Sequence, residues 1–469
     1  MSRPAPRLRK QKLDWIAFAL FASLVFIGWL MIYSASHIPN QSTSSFLDLG
    51  TSVGKQTLFI GIAAVIFLAT QLIDWKFWST FGYVVFAVSI LMLVMVLLIG
   101  NTVKGSTSWF SLFGFSLQPS EFAKFGTCLA LASYLSFHQT TLKEPRHILI
   151  SISIVALPIG LILLQPDAGS ALVFTSFAFL LYRTGLPPLI PLVAVFLGAL
   201  FIVSLVIDPI YIIPFLIWIL SAFFILNFKK KERWIIAGLV LFIGTITGLV
   251  LHQPLIPIAA NAVFLVITAI AAYGNRMQRQ LALLVPGLVI CIGISFASNL
   301  AFNNFLEPHQ QDRINVWLRP GQCDPQGSLY NVLQSKIAIG SGGLQGKGFL
   351  NGTMTTLNYV PEQTTDFIFS TIGEEQGFIG TIAIIALFVI LLFRILTIAE
   401  RAKANFIRNY AYGVAGVLFI HFFINIGMTI GLVPIIGIPL PFISYGGSSL
   451  LGFTLMIGVL LKMDGARYS

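Results

Sequence analysis

Charge is scarce in this chain. Of its 469 residues only 10% are Asp, Glu, Lys or Arg, against 57% hydrophobic, where a soluble domain carries about 25% charged residues. That balance excludes an ordinary water-soluble enzyme. Cysteine is nearly absent as well: Cys128 and Cys291 lie in apolar runs and Cys323 in a polar stretch, so no intrachain disulfide framework can be built. Low-complexity tracts and repeats of 20 to 50 residues are missing. So are the alternating segments of about ten residues that a transmembrane barrel needs. The net charge of +11 comes from short basic clusters between apolar runs. No continuous basic face results, which argues against nucleic acid as a partner.

What the chain has in abundance is apolar runs of about 20 residues, recurring from Leu13 to Leu461. Each can cross a hydrocarbon core about 30 Å thick as a helix, and lipid leaves the backbone no other partner than its own helix. The fold class expected is all-α: a polytopic transmembrane helical bundle, one membrane domain over 1–469. Fourteen crossings are expected, near 13–34, 56–73, 78–99, 118–137, 147–164, 167–182, 187–207, 210–227, 233–251, 255–273, 280–298, 376–396, 410–431 and 442–462. The first run is too long for a cleaved signal peptide and reads as the first crossing behind a basic tail.

Lys and Arg gather on the cytoplasmic side of short loops. With the amino terminus inside, 21 of the 28 fall on the cytoplasmic side and 6 outside, leaving Lys124 within a helix. Both termini are therefore expected in the cytoplasm. The one long hydrophilic excursion, a loop over 299–375 with its polar island from Arg313 to Glu375, is expected to be extracytoplasmic.

Several polar groups sit where lipid should not tolerate them. In Gln118-Pro119-Ser120-Glu121-Phe122-Ala123-Lys124, Glu121 and Lys124 are three residues apart and share a helix face. Two readings are open: a structural ion pair that fixes helix packing, or an ionisable site inside the membrane with a function. Asp167, in Gln165-Pro166-Asp167, reads as the cap of the sixth helix. The run from Gly437 to Ser449 collects prolines, glycines and hydroxyls, Ser444 and Ser448 among them. Broken backbone at membrane depth is acceptable where protein or a watery cavity lines it, so this run is a packing kink or a cavity wall. His421 and Asn425, one turn apart, read as a core or cavity pair, since no second ligand stands at metal spacing.

In the island, Asp324-Pro325 shares a loop with Arg313, Arg319 and Lys336. An Asp-Pro is a turn former by default, with catalysis the sharper alternative. The glycines at 340, 342, 343, 346 and 348 could turn backbone amides towards a phosphate, although the pattern is not a P-loop. Thr365 and Asp366 read as a helix cap.

These stretches, in order, match a known family. Asp14-Trp15, Tyr33 to Ser36, the KGSTSWF run before LQPSEFAK, LLQPDAGSALV, Asp324-Pro325, Gln334 to Thr353, Pro361 to Glu375 and Gly437 to Leu451 resemble the SEDS (shape, elongation, division and sporulation) proteins. GKGFLNGT is nearer to the elongation than to the division members. The resemblance implies a bacterial inner-membrane glycosyltransferase that polymerises lipid II into peptidoglycan during elongation and rod-shape maintenance. It implies Asp324 as the catalytic carboxylate and Glu121, Lys124 and Trp109 as supporting residues. Lys55 stands where the family usually has Arg, which keeps the charge and loses bidentate phosphate geometry. Thr364 stands where the family has His. Implied partners are lipid II, a class B penicillin-binding transpeptidase and other elongation-complex membrane proteins; a divalent cation, Mg or Mn, is a conceivable cofactor. Asp324 is the expected general base, with Lys55, Lys124, Arg313 or Lys336 facing the diphosphate leaving group. Ten helices are usual in the family, so about four are inserted, at about 208–280. A lipid II flippase, a non-enzymatic scaffold and a division-type polymerase are the alternatives.

Overall fold

Apolar runs flanked by Asp, Thr and Pro start helices with ready caps, and the chain uses them repeatedly. Asp14, Thr51 and Asp74 each accept a backbone N–H at the start of the next helix. The computed structural model describes residues 13–37, 48–103, 105–112, 115–137, 141–228, 232–251, 253–304, 306, 308–324, 326–327 and 329–465. The basic tail, Lys104, Lys229 to Lys231, Pro325 and Arg467 lie outside the described residues.

The chain divides into two compact units, Met1–Pro187 with Gln322–Ser469, and Pro188–Gly321. In the first, α1 (Trp15–Ser36), α2 (Ser52–Leu72) and α3 (Trp75–Ile99) precede α4 (Pro119–Leu135), α5 (Pro145–Leu163), and α6 (Ala168–Val173), which a single 3-10 turn joins to α7 (Phe177–Arg183). The second unit holds α8 (Leu189–Val206), α9 (Pro209–Leu226), α10 (Glu232–Val250), α11 (Leu255–Gly274), α12 (Gln278–Asn304) and α13 (Pro308–Leu318). The first unit resumes with α14 (Leu329–Ser341), α15 (Thr353–Thr356), α16 (Ile368–Arg401), α17 (Asn405–Thr429) and α18 (Gly447–Gly465). A helix stands at each of the fourteen expected crossings, the sixth being the broken α6–α7. Among the described residues, eleven helices are long and apolar enough to cross a membrane. The all-α polytopic bundle is borne out.

The centre of the first unit is α17 and α18, whose apolar windows are 72% and 78% buried, against 22% for α3 and 17% for α5. α4 joins them: Cys128 to Ala132 are fully buried. Small residues permit this approach, as in membrane bundles generally. A Cβ at Gly413 of α17 would lie 2.5 Å from the Cys128 Sγ of α4, and one at Gly452 of α18 3.3 Å from the Glu121 carbonyl oxygen.

Two features depart from the expected pattern. Three short strands, β1 (Asn101–Val103), β2 (Ser106–Leu112) and β3 (Phe115–Leu117), form an antiparallel sheet, and Gly105 takes φ +83° between the first two. In addition, a short helical segment from Ile368, joined to the expected crossing across a kink at Gly377, draws Glu374 and Glu375 into α16.

The second unit is built on α9, half buried, which packs against α10, α11 and α12. Polar contacts stitch it: Ser204 to Ser295 at 2.8 Å, and the Asn261 amide to the Thr245 hydroxyl at 2.8 Å. Residues 208–280 contain three whole helices, so a surplus of four takes in a neighbour from the same unit.

At one end of the first unit, ion pairs join α1, α16 and α18. The buried Asp14 carboxylate accepts from Ala17 N–H, from Arg394 Nε at 3.0 Å and from Arg401 Nη2 at 2.6 Å. Arg401 also grips Asp464, at 2.9 and 2.6 Å. Burial alone would raise the Asp14 pKa, but these donors outweigh it and hold the carboxyl below its ordinary range. A depressed folded pKa gives stability that is present above the unfolded value and lost as pH falls through the folded one. Asp14→Asn is expected to cost roughly 2 kcal/mol near neutral pH. The deficit against wild type should shrink as thermal unfolding in detergent is followed from about pH 7 to about pH 3.

Candidate active site

The α4 sequence carries its charges at positions 121 and 124, and one turn of helix brings them together. Lys124 Nζ lies 2.8 Å from Glu121 Oε1, with side chains 1% and 3% exposed. A third group completes the cluster: His421 Nε2, on α17, is 2.8 Å from the same ammonium. The ammonium also lies 5.0 Å from the centroid of the Phe453 ring of α18. His421 Nδ1 is 3.1 Å from the Pro439 carbonyl. A carbonyl can only accept, so Nδ1 carries the proton and Nε2 accepts from Lys124. Among the described residues Glu121 Oε2 has no hydrogen-bond partner.

Around this cluster the motif residues converge. Asp167 caps α6 through Ser170 N–H at 2.9 Å and accepts from the Gln118 amide at 3.0 Å. Its expected capping role is what the geometry contains, with the added tie to the QPSE run. Ser448 accepts from Gln118 N–H at 3.1 Å and donates to the Ser116 carbonyl at 3.0 Å, which fixes β3 against α18. Ser444 donates to the Thr365 carbonyl at 2.6 Å and accepts from Leu440 N–H. Asn425 donates to the carbonyls of Ile438 and Asp366, at 2.7 and 2.9 Å. The broken 437–446 run is therefore stitched to the end of the polar island on one side and to α17 on the other.

The glycine-rich stretch has a different use from the one its sequence suggests. The amides of Gly346, Lys347 and Gly348 donate to the carbonyls of Gly342, Glu374 and Glu375, at 2.8, 3.0 and 2.9 Å. The amides of Lys347 and Gly348 are thus committed to α16 and that of Gly346 to its own turn, so they do not form a phosphate cradle. The contact requires Gly377, at φ +64°, where a Cβ would sit 2.2 Å from Gly346 N. The fully buried Glu374 accepts from Lys347 at 2.6 Å, from the amides of Met354 and Thr355 at 2.9 Å and from the Thr355 hydroxyl at 2.8 Å. Beside it Glu375 takes a hydrogen bond from Ser34. Asp366 is not a cap either; Phe367 occupies that position of α16 with no side-chain cap, because a turn tied to the Glu362 carbonyl already holds 362–367.

Asp324 is exposed. Its Oδ1 accepts from Gln326 N–H at 2.9 Å and its carbonyl from Gly327 N–H at 3.1 Å, an Asx turn. Among the described residues it has no ion pair, and no hydrogen bond joins it to the Glu121–Lys124–His421 cluster. Lys336 is exposed on α14 with its ammonium against Gly431. Lys55 is partly buried on α2, and Trp109 is partly buried on β2 opposite Asn101. Arg313 lies on α13 of the second unit. His421 carries more of this site than its sequence reading allowed; the i, i+4 spacing with Asn425 was the available signal.

Comparison with known proteins decides the lineage. The FtsW/RodA/SpoVE cell cycle protein family matches residues 14–213 and 205–469. The chain belongs to that family. It is 30% identical to the peptidoglycan glycosyltransferase RodA of Treponema pallidum, over 97% of this chain and 98% of that one. Peptidoglycan glycosyltransferase MrdB of Escherichia coli K12 is 29% identical, over 95% and 93%. Among solved structures, Thermus thermophilus RodA shares the fold at a TM-score of 0.56 with 21% identity, over 97% and 98%. A chain of a peptidoglycan synthase complex coordinating polymerization and crosslinking does so at 0.61 with 23% identity, over 97% and 99%. The SEDS resemblance, and within it the likeness to RodA, is borne out.

Glu374→Ala leaves two buried amides and a hydroxyl without an acceptor and is expected to cost about 3 kcal/mol. Thermal unfolding and faster proteolysis within 343–366, relative to the conservative Glu374→Gln, are the measurements.

Proposed function

We propose that the chain is a peptidoglycan glycosyltransferase of the elongation type, acting on lipid II from a groove at the membrane surface. The observation that carries this reading is full-length membership in a family whose relatives bear that activity in their names, together with a charged, water-excluded cluster at the heart of an otherwise apolar bundle.

The 4-hydroxyl of one lipid-linked disaccharide attacks the anomeric carbon of another. The new O–C1 bond forms as the C1–O bond to undecaprenyl diphosphate breaks. The hydroxyl proton passes to the Asp324 carboxylate, whose exposed setting leaves Oδ2 accessible. The diphosphate departs with the bonding pair and needs positive charge. Lys124 is already engaged by Glu121 and His421, which leaves Lys55 and Lys336 among the expected cations of the first unit. Among the described residues no three His, Cys, Asp or Glu side chains converge on a cation site, and no step is routed through a metal. The likeness to a chain of a polymerization and crosslinking complex supports a class B penicillin-binding transpeptidase as partner. The inserted helices, at about 208–280, belong on this reading to the second unit.

Purified wild-type chain with fluorescent lipid II is expected to yield glycan polymer, and Asp324→Ala to lower the rate by about 100-fold or more. Polymerisation undiminished in Asp324→Ala removes Asp324 as the base; no polymer from wild type, with the transpeptidase present, favours the flippase or scaffold. The extracytoplasmic loop is tested separately. Gln326→Cys in a chain lacking its three native cysteines is expected to react with a membrane-impermeant maleimide on intact spheroplasts.

A further inference from the structure

Lys124 has three ammonium protons to place in a site that water does not reach. One goes to Glu121, from the same helix, and one to His421, from α17. The third side of the ammonium faces the Phe453 ring of α18, on which the His421 ring also packs edge-on, with centroids 4.9 Å apart. Three helices thus meet at one cation. The acceptor state of His421 is not free to vary, because its Nδ1–H is held by the Pro439 carbonyl. Pro439 in turn belongs to the irregular run that Asn425, Ser444 and the Tyr445 amide bind to residues 364–366 of the polar island. An unbroken series of hydrogen bonds therefore leads from the end of the island, through 437–445 and the imidazole, to Lys124 and Glu121. An apolar ring in place of the imidazole would fill the same space and cut this series at one atom.

We propose that His421 is a positioning residue for glycosyl transfer: it holds the Lys124 ammonium on Glu121 and registers both against the 437–445 segment beneath the island. It touches no substrate itself. Its effect reaches the reacting groups through the 437–445 segment and the 364–366 stretch of the island bound to it, so the inference rests on the glycosyltransferase reading. Misplacing a group in a site by about 1 Å can cost about 100-fold in rate.

The test uses the full-length chain and fluorescent lipid II, with initial rates over a range of substrate. H421F is expected to lower kcat by roughly 10- to 100-fold while KM moves by less than about threefold, the signature of an interaction that matters in the transition state. H421Q, which keeps a side-chain acceptor, is expected to retain more of kcat than H421F at a matched Tm. A second measurement needs no turnover: in thermal unfolding, H421F and K124M should be non-additive, since both remove the same contact. Should H421F turn over at the wild-type rate, or H421Q fall as low as H421F at equal Tm, or the two Tm losses simply add, His421 is a packing residue and the proposal is overturned. Absence of polymer from wild type would instead fail the glycosyltransferase reading, and the unfolding measurement still decides whether His421 holds Lys124.

Discussion

A lysine ammonium buried among apolar helices is the constraint around which the first unit is arranged. Removing such a charge from water costs several kcal/mol unless partners replace the lost hydration, and here the partners come from three helices. Glu121 supplies opposite charge, His421 a neutral acceptor, and Phe453 the face of a ring. α4, α17 and α18 must lie close for this to happen, and glycine and alanine on those helices allow it. The charge explains why the innermost helices of the bundle are also the ones that carry the family motifs.

The second principle of construction is that irregular backbone is permitted only where something satisfies it. In the irregular 437–446 run the Ile438 and Pro439 carbonyls and the Leu440 amide meet the side chains of Asn425, His421 and Ser444, while the Tyr445 and Ser444 amides meet the backbone carbonyls of Thr364 and Leu440. The glycine stretch before Lys347 solves the same problem with main chain alone, by pairing with α16 beside its Gly377 kink. Rigidity at the edge of the polar island is therefore a by-product of satisfying backbone in a place where water is scarce.

Much of this was legible in the sequence, and the part that was not has a common cause. Helix positions followed from run length, since lipid permits one solution per run. The Glu121–Lys124 pair followed from i, i+3 spacing, a local property. His421, 297 residues further along, could not be assigned as its partner, because no local rule connects two separate helices. The same holds for Glu374, whose donors at 347 and 353–355 come from a segment that reads as a phosphate-binding pattern until its amides are traced. The sheet over 101–117 was missed because its strands are short and polar beside the strong apolar signal on either side. Asp324 is the opposite case: its turn was legible from Asp-Pro, and its chemistry came only from resemblance.

The arginine junction has a topological side. Arg401 Nη2 lies 2.6 Å from a carboxylate oxygen of Asp14 and 2.6 Å from one of Asp464, so those two oxygens are at most about 5 Å apart. Asp14 and Asp464, 450 positions apart in the sequence, thus share one guanidinium group. α1 and α18 are held in register by a cation that belongs to neither, so a change of the single side chain of Arg401 would loosen two helices from α16 at once.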